Sequence, residues 1–486
     1  MSGSSNVTVP GTNPNTPVTV AYGTGDVLHL ASQIGALLSS FQGSGNLQVT
    51  NGTMTSLPAA PAPTTLGAQN ELIINGGVGN ATVPTGYSYV VGLASGPSTI
   101  SAANTALITS TVGGTINLTG QSTVAVENGN NLVNASGNYL ISTAPGNDTV
   151  SASGQGTIAT DTGANVIFAT GVNSISSIGQ DTVVAGIGLT TVDSAGSRSL
   201  VMGNAGAGDL LTVSLSGAQS TVSTWDSDAT VTVAGSQDMA VGAQALSNLI
   251  VTGSSDTLLG GSGAETINAL SNPLLFGGTG PVSFVGGAGA STIIGASGGT
   301  EQVTVGAGGV MLSAGAGNSS TVTSGAGTAT IFGGANSIVN FFGNQTGAML
   351  VGAGGNETLN AAGSTMTNLF SGGVGGNVSM QGGSGNDGFL AGSGSETMAG
   401  GAGSNSFAFF SAATGGAHDY ITDFSPSDSL FLLGYAAGQT ASSLLNAATE
   451  DATGVTLTLS DQTKITFTNL GTTSSLNNDI MYVPKV

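Results

Sequence analysis

The chain has no cysteine, which excludes disulfide bonds and thiol chemistry and is compatible with an extracellular life. It has almost no positive charge. Arg198, Lys464 and Lys485 are the only basic residues against 24 acids, so the net charge is −21. Nucleic acids need cations to neutralise their phosphates, and anionic membranes recruit basic clusters, so neither is expected as a partner. No run of 18 or more apolar residues is present, and no transmembrane helix is expected. The opening MSGSSNVTVPGTNPN has neither the basic nor the apolar region of a Sec-type signal peptide, so export would use another address. Histidine is nearly absent too. His29 and His418 are the only two, HExxH is missing and no nucleophile elbow is seen, so the chain is not expected to be an enzyme.

What is present is glycine, 82 of 486 residues, far above the usual share of about 7%. Charged residues are only 6%, yet 39% are hydrophobic and the mean hydropathy is +0.29. That is not the profile of a disordered chain, which is poor in apolar residues and rich in charge. An apolar, glycine-rich, nearly uncharged chain needs a regular architecture driven by its backbone. Its few acids, lacking internal counter-charges, would be relieved by bound divalent cations.

Residues 1–24 read as a flexible polar lead. In 26–41, Val27, Leu30, Ala31, Ile34, Leu38 and Phe41 fall at helical spacing behind Asp26, a suitable N-cap. PAAPAPTT at 58–65 is a break. A rhythm then takes over. Ile158, Ile167, Ile175 and Val183 recur every eight or nine residues, and farther on the period settles at nine, as in GGSGNDGFL, AGSGSETMA and GGAGSNSFA over 382–408. Self-similarity at this scale marks a solenoid. Glycines supply turns, and each short strand pairs with the coils above and below. Two nonads make one coil, giving about 17 coils over 100–410. The fold class expected is all-β, a parallel β-solenoid with a short N-terminal helix and a mixed C-terminal cap. The divisions expected are 1–65 (lead, helix and proline break), 66–250 (irregular solenoid), 251–408 (regular nonapeptide β-roll) and 409–486 (cap and secretion signal). Within the cap, 440–451 reads as a helix.

The nonad GGSGNDGFL fits G-G-x-G-x-D-x-(apolar)-x in full, and resembles the calcium-binding repeat of RTX (repeats-in-toxin) proteins. HDYITDFSPSDSLFLL resembles the segment that closes the repeats in such exoproteins, and the terminal DIMYV resembles the C-terminal signal of type I secretion substrates. The resemblance covers about residues 250–486 and implies Ca2+ between successive turns, held by an acid and by glycine carbonyls. Carried over residue by residue, it makes Asp387 and Asp256 ligands, with Asp148, Asp181, Glu265, Glu357, Glu396 and Asp423 as further candidates. Asp419, Asp423 and Asp428 form a second acidic cluster, readable as a terminal site or as cap residues. Elsewhere the sixth place holds Asn165, Asn173, Asn336, Asn405 or Ser320, which keep the turn without the charge.

Two other features invite a functional reading. Trp225-Asp226-Ser227-Asp228 with Arg198 would be the acids of a carbohydrate-active β-helix enzyme. Threonines beside the inward residues, among them Thr149, Thr157, Thr182 and Thr266, would make an outward row able to bind ice or a glycan if they align. The function expected is that of a secreted, extracellular or cell-surface structural protein. It self-assembles as a homo-oligomer or filament in a surface layer, fibre or biofilm matrix, with calcium at a few turns. The alternative is an adhesin that binds a cell-surface polysaccharide.

Overall fold

The computed structural model describes residues 5–484 apart from 14–15, 23–24, 111–112, 204–208, 226–227, 243, 245, 437 and 477. The chain is about 50% strand and 7% helix, a parallel β-solenoid of about 20 turns with a mixed-strand C-terminal region. It divides into two compact units, Met1–Leu246 and Ser247–Val486.

The first unit begins with an arm. The polar lead, expected to be flexible, instead forms an antiparallel hairpin of Ser5–Val9 with Val18–Tyr22. Alternation drives it: Val7, Val9, Val20 and Tyr22 all point one way and are buried. Helix α1, Asp26–Gly43, follows, with Val27, Leu30, Ala31, Ile34 and Leu38 buried as their spacing predicts. It does not cover the end of the first coil. It lies along the side of the stack, against an outward row formed by Ile73, Val91, Ile108 and Ala125 on successive coils. Eighteen residues at 1.5 Å span about 27 Å, the height of five to six coils at ~4.8 Å each. The same row continues as Ser142, Ala159, Ser176 and Asp193, turning polar where the cover ends. The Tyr22 hydroxyl pins the arm by donating to the carbonyl oxygens of Ala125 (3.0 Å) and Thr109 (3.3 Å).

Coiling starts at Leu47–Thr53, earlier than the repeat rhythm predicts, because the first coils carry longer, proline-bearing turns that hide the period. From Thr115 each coil is one long strand: Thr115–Val126, Leu132–Thr143, Thr149–Thr160, Val166–Ser177 and Thr182–Ser194. These strands stack in parallel at offsets of 16 or 17 residues and turn a corner at Gly120, Gly137, Gly154, Gly171 and Gly188, all with positive φ. A Cβ on Gly154 would stand 2.2 Å from the Gly137 carbonyl oxygen, so only glycine fits there. The anchors read from the sequence fall into two inward rows. Ile167 and Val183 belong to one, Ile158 and Ile175 to the other, and none is more than 2% exposed.

In the second unit the strands are three to seven residues long, two per coil. One inward row runs Leu258, Leu275, Ile293, Leu312, Ile331, Leu350, Phe370, Phe389, Phe407 and Leu430. Phe389 stacks on Phe370 at 4.7 Å and on Phe407 at 5.0 Å, close to the rung spacing. Met398 belongs to the opposite row, with Met380 and Ile421. Ser429–Tyr435 extends the first row, while Gly454–Thr458 pairs antiparallel with Lys464–Phe467. The helix expected over 440–451 is shorter, Ala441–Asn446, because Thr449–Asp451 is drawn into an antiparallel pair with Gly454–Thr458.

Candidate functional site

The sixth place of the repeat points inward. Asp148, Asp181, Asp256, Asp387, Glu265, Glu357 and Glu396 are at most 2% exposed. Equivalent residues on successive coils form a hydrogen-bonded ladder. The backbone N–H of Asn131 donates to Asp148 Oδ1 (2.7 Å), that of Asp148 to Asn165 Oδ1 (2.8 Å) and that of Asn165 to Asp181 Oδ1 (2.8 Å). A second ladder repeats the pattern: Asn368 N–H to Asp387 Oδ1 (2.6 Å), Asp387 N–H to Asn405 Oδ1 (2.9 Å) and Asn405 N–H to Asp428 Oδ1 (2.7 Å). Both run Asn, Asp, Asn, Asp. Asn131, Asn165 and Asn368 also turn their amides onto the next carboxylate, as Asn165 Nδ2 does to Asp181 Oδ1 at 2.9 Å and Asn368 Nδ2 to Asp387 Oδ1 at 3.0 Å, while the Asn405 amide donates to the Ala402 carbonyl.

The remaining oxygens close the turns. Gly383 N–H donates to Asp387 Oδ2 (2.8 Å), Ala353 N–H to Glu357 Oε2 (3.0 Å), and Gly261 N–H to Glu265 Oε1. Thr160 and Ser177 hydroxyls donate to Asp181 Oδ2 at 2.6 and 2.7 Å. Burial pushes the Asp148 carboxyl up to about 6 even though N–H donors favour its charged form, and it raises Asp387 too.

Glutamates follow a spacing rule of their own. Glu265 and Glu301 lie on one row with Val282 between them, and Glu357 has Val378 beside it. The exception is Glu396 and Asp419, on adjacent rungs. Glu396 N–H donates to Asp419 Oδ1 at 2.9 Å, while both Glu396 oxygens and Asp419 Oδ2 are buried without a partner among the described residues. Burial, then the neighbouring Glu396, pushes Asp419 up to about 9, so Asp419 holds a proton at neutral pH.

Asp419, Asp423 and Asp428 do not converge. Each clamps a different N–H of the preceding coil: Asp419 that of Glu396, Asp423 those of Gly400 (2.7 Å) and Gly401 (2.8 Å), and Asp428 that of Asn405. These acids close the last regular coil. A Ca2+ shell takes six to eight oxygens. Among the described residues no three His, Cys, Asp or Glu side chains gather, and both oxygens of Asp387 and of Asp423 are engaged by N–H donors, while Asp148 Oδ2, Glu265 Oε2 and Glu357 Oε1 are buried without a hydrogen-bond partner.

Comparison of the chain with protein-family models, with curated proteins and with solved structures found no match. The reading therefore rests on the molecule itself.

Two features went unread in the sequence. Glu71, on Gln69–Asn75, is fully buried beside Val49 and Tyr89, and neither oxygen has a partner among the described residues. No Lys or Arg precedes Arg198 in the chain, and no ion pair is made to Glu71 among the described residues. Burial pushes it up to about 8. Only its place in a strand beneath the helical arm reveals it. The other is the glycine corner, whose outward flanks carry an exposed hydroxyl and an exposed amide on three successive coils: Thr119 and Gln121, Ser136 and Asn138, Ser153 and Gln155. The 17-residue repeat of Gly120, Gly137 and Gly154 would have shown it.

The remaining candidates stay apart. His29 is exposed on α1 and its ring contacts Gln33 at 2.9 Å. His418 bonds Thr466 (2.9 Å) and stacks on Tyr420, and burial, then Lys464, lowers its pKa. Trp225 is 59% exposed and Arg198 Nε donates to Gln219, while Asp226 and Ser227 lie outside the described residues. The threonines do not align in one flat row: Thr149 has Leu132 and Val166 as neighbours, and Thr266 has Ser283. No helix among the described residues is long and apolar enough to cross a membrane.

Proposed function

We propose that the chain is a secreted structural subunit of RTX-like type that assembles with copies of itself outside the cell, in a surface layer, fibre or matrix. The observation that carries this reading is a pair of open sheet edges. Among the described strands, Leu47–Thr53 pairs within the coil stack only with Gln69–Asn75, and Ile480–Pro484 only with Ser429–Tyr435. An unpaired edge is a template for another chain. The other side of the first coil is blunted, since Pro58, Pro61 and Pro63 lack the N–H a ladder needs. Tyr87 and Asn70 hold that segment down through the carbonyls of Pro58, Ala59 and Pro61. Each unit thereby offers one open strand, and a heterologous contact between these two strands on different copies would give a filament.

The reading is non-enzymatic and is supported by the scatter of the two histidines. The coil geometry is compatible with RTX repeats, but the proposal assigns no role to calcium. Light scattering across a concentration series, with negative-stain microscopy, tests it. Ordered growth is expected, and Tyr482→Pro should stop it by spoiling the C-terminal edge. A monodisperse monomer at every concentration, with or without calcium, overturns it.

A further inference from the structure

We propose that the glycine corner of the first unit is a binding strip for a neutral, linear polysaccharide, laid along the stack with about one sugar per coil. Each of three successive coils offers the same exposed triplet of hydroxyl, glycine and amide. The triplets stand in register, Thr119 beside Ser136 beside Ser153, and Gln121 beside Asn138 beside Gln155. None of these six side chains makes a hydrogen bond among the described residues, so every donor and acceptor is available. The rungs repeat at ~4.8 Å, close to the length of one pyranose unit in an extended polysaccharide.

The chemistry of the strip selects the ligand. The amide side opens into a groove of about 410 Å³ whose floor includes Tyr139 and whose lining holds no Asp, Glu, Lys, Arg or His. The Tyr139 hydroxyl is tied to Asn173 two coils on, and its ring fills the space left by Gly156, so the floor is rigid and uncharged. A chain of net charge −21 with no cation before Arg198 repels a polyanion. Side-chain amides and hydroxyls that both donate and accept suit sugar hydroxyls. Beyond the third coil the amide row becomes Val172, Leu189 and Leu210, exposed by 46, 48 and 44%. An apolar ladder in line with a polar one suits pyranose rings, which alternate C–H faces with hydroxyl edges. The glycines themselves need no ligand to explain them, since the stacking demands them; the flanking polar residues are under no such demand.

The test uses the full chain and titration calorimetry with cellohexaose, chitohexaose and mannohexaose, and hexagalacturonate as the charged counterpart. At least one neutral hexaose is expected to bind and the polyanion is not. The triple variant Gln121→Ala, Asn138→Ala, Gln155→Ala should weaken binding about tenfold or more, the loss of several modest hydrogen bonds. Its melting curve should match that of the unchanged protein, because these side chains hold nothing in the fold. Absence of binding to all three neutral hexaoses, equal affinity in the triple variant, or preference for hexagalacturonate overturns the proposal. Filament growth is read separately, so failure here leaves the assembly reading untouched.

Discussion

Glu71→Gln should make the protein more stable in mild alkali and flatten its pH dependence. The buried carboxyl has no hydrogen-bond partner among the described residues and no cation within reach of its sequence neighbourhood. It is therefore neutral in the folded state and ionises only near pH 8. An acid raised in this way contributes stability that is whole below the ordinary 4.5 and is lost as pH climbs through about 8. A rise from 4.5 to about 8, at about 1.4 kcal/mol per pH unit, gives about 5 kcal/mol. Opening of the arm caps this figure, since lifting α1 hydrates the carboxylate without unfolding the coils. Hydrogen exchange of the α1 amides and urea unfolding, each from pH 5 to 9, should show the unchanged protein losing protection and several kcal/mol. Other buried acids move in the same direction, among them Asp148, Glu265 and Glu357. The difference between the two proteins isolates Glu71. Parallel curves for the variant and the unchanged chain would refute the reasoning.

Asn165→Asp would put three carboxylates on adjacent rungs. At ~4.8 Å and an effective dielectric of 20 each adjacent pair costs about 3 kcal/mol, so urea unfolding at pH 7 should show a loss of at least that size, recovered below pH 5. Gly154→Ala must place a Cβ 2.2 Å from the Gly137 carbonyl at a φ of +122°, and calorimetry should register a loss of about 2–4 kcal/mol. Phe389→Ala breaks the ring stack between Phe370 and Phe407 and should cost about 3–5 kcal/mol in denaturant unfolding. Because the ladder acids are engaged by N–H donors, circular dichroism in a calcium chelator and in calcium should give the same strand content. A collapse of strand signal in chelator would return these acids to the role of calcium ligands.

Much of the fold could be read directly because it is local. The anchors Ile158, Ile167, Ile175 and Val183 reveal the coil because their two inward rows are apolar on coil after coil. Helix α1 shows itself by spacing within a single segment. The site was less legible because it lives in register. Asn131, Asp148 and Asn165 are 17 apart, Asn368 and Asp387 are 19 apart, and Glu396 and Asp419 are 23 apart. A fixed count of nine cannot align them, since turns of unequal length intervene. The hairpin of the lead was hidden for a related reason: Val7 and Val20 are apolar only in alternation, within a stretch rich in Ser, Thr, Asn and Pro.

Stacking explains why the charged place of the repeat drifts. A solenoid sets every side chain against its own equivalent one rung away, so a charge written into the consensus meets itself along the whole ladder. Asparagine offers the same carbonyl acceptor to the neighbouring N–H and adds an amide that can donate to the next carboxylate, as it does from Asn165 to Asp181. Alternation keeps the hydrogen bonds and weakens the repulsion, of which a remnant from Asp181 still reaches Asp148. The longer glutamates reach the same end by standing two rungs apart across a valine. Where neither device is used, at Glu396 and Asp419, a proton takes the place of the neutral rung. Replacing Glu396 by Gln would supply that rung and remove the lesser, charge-based part of the rise at Asp419, leaving the larger part that burial causes. The junction with the C-terminal sheet should then be less sensitive to alkali than in the unchanged protein, though not insensitive, as hydrogen exchange of the His418–Ile421 amides would read.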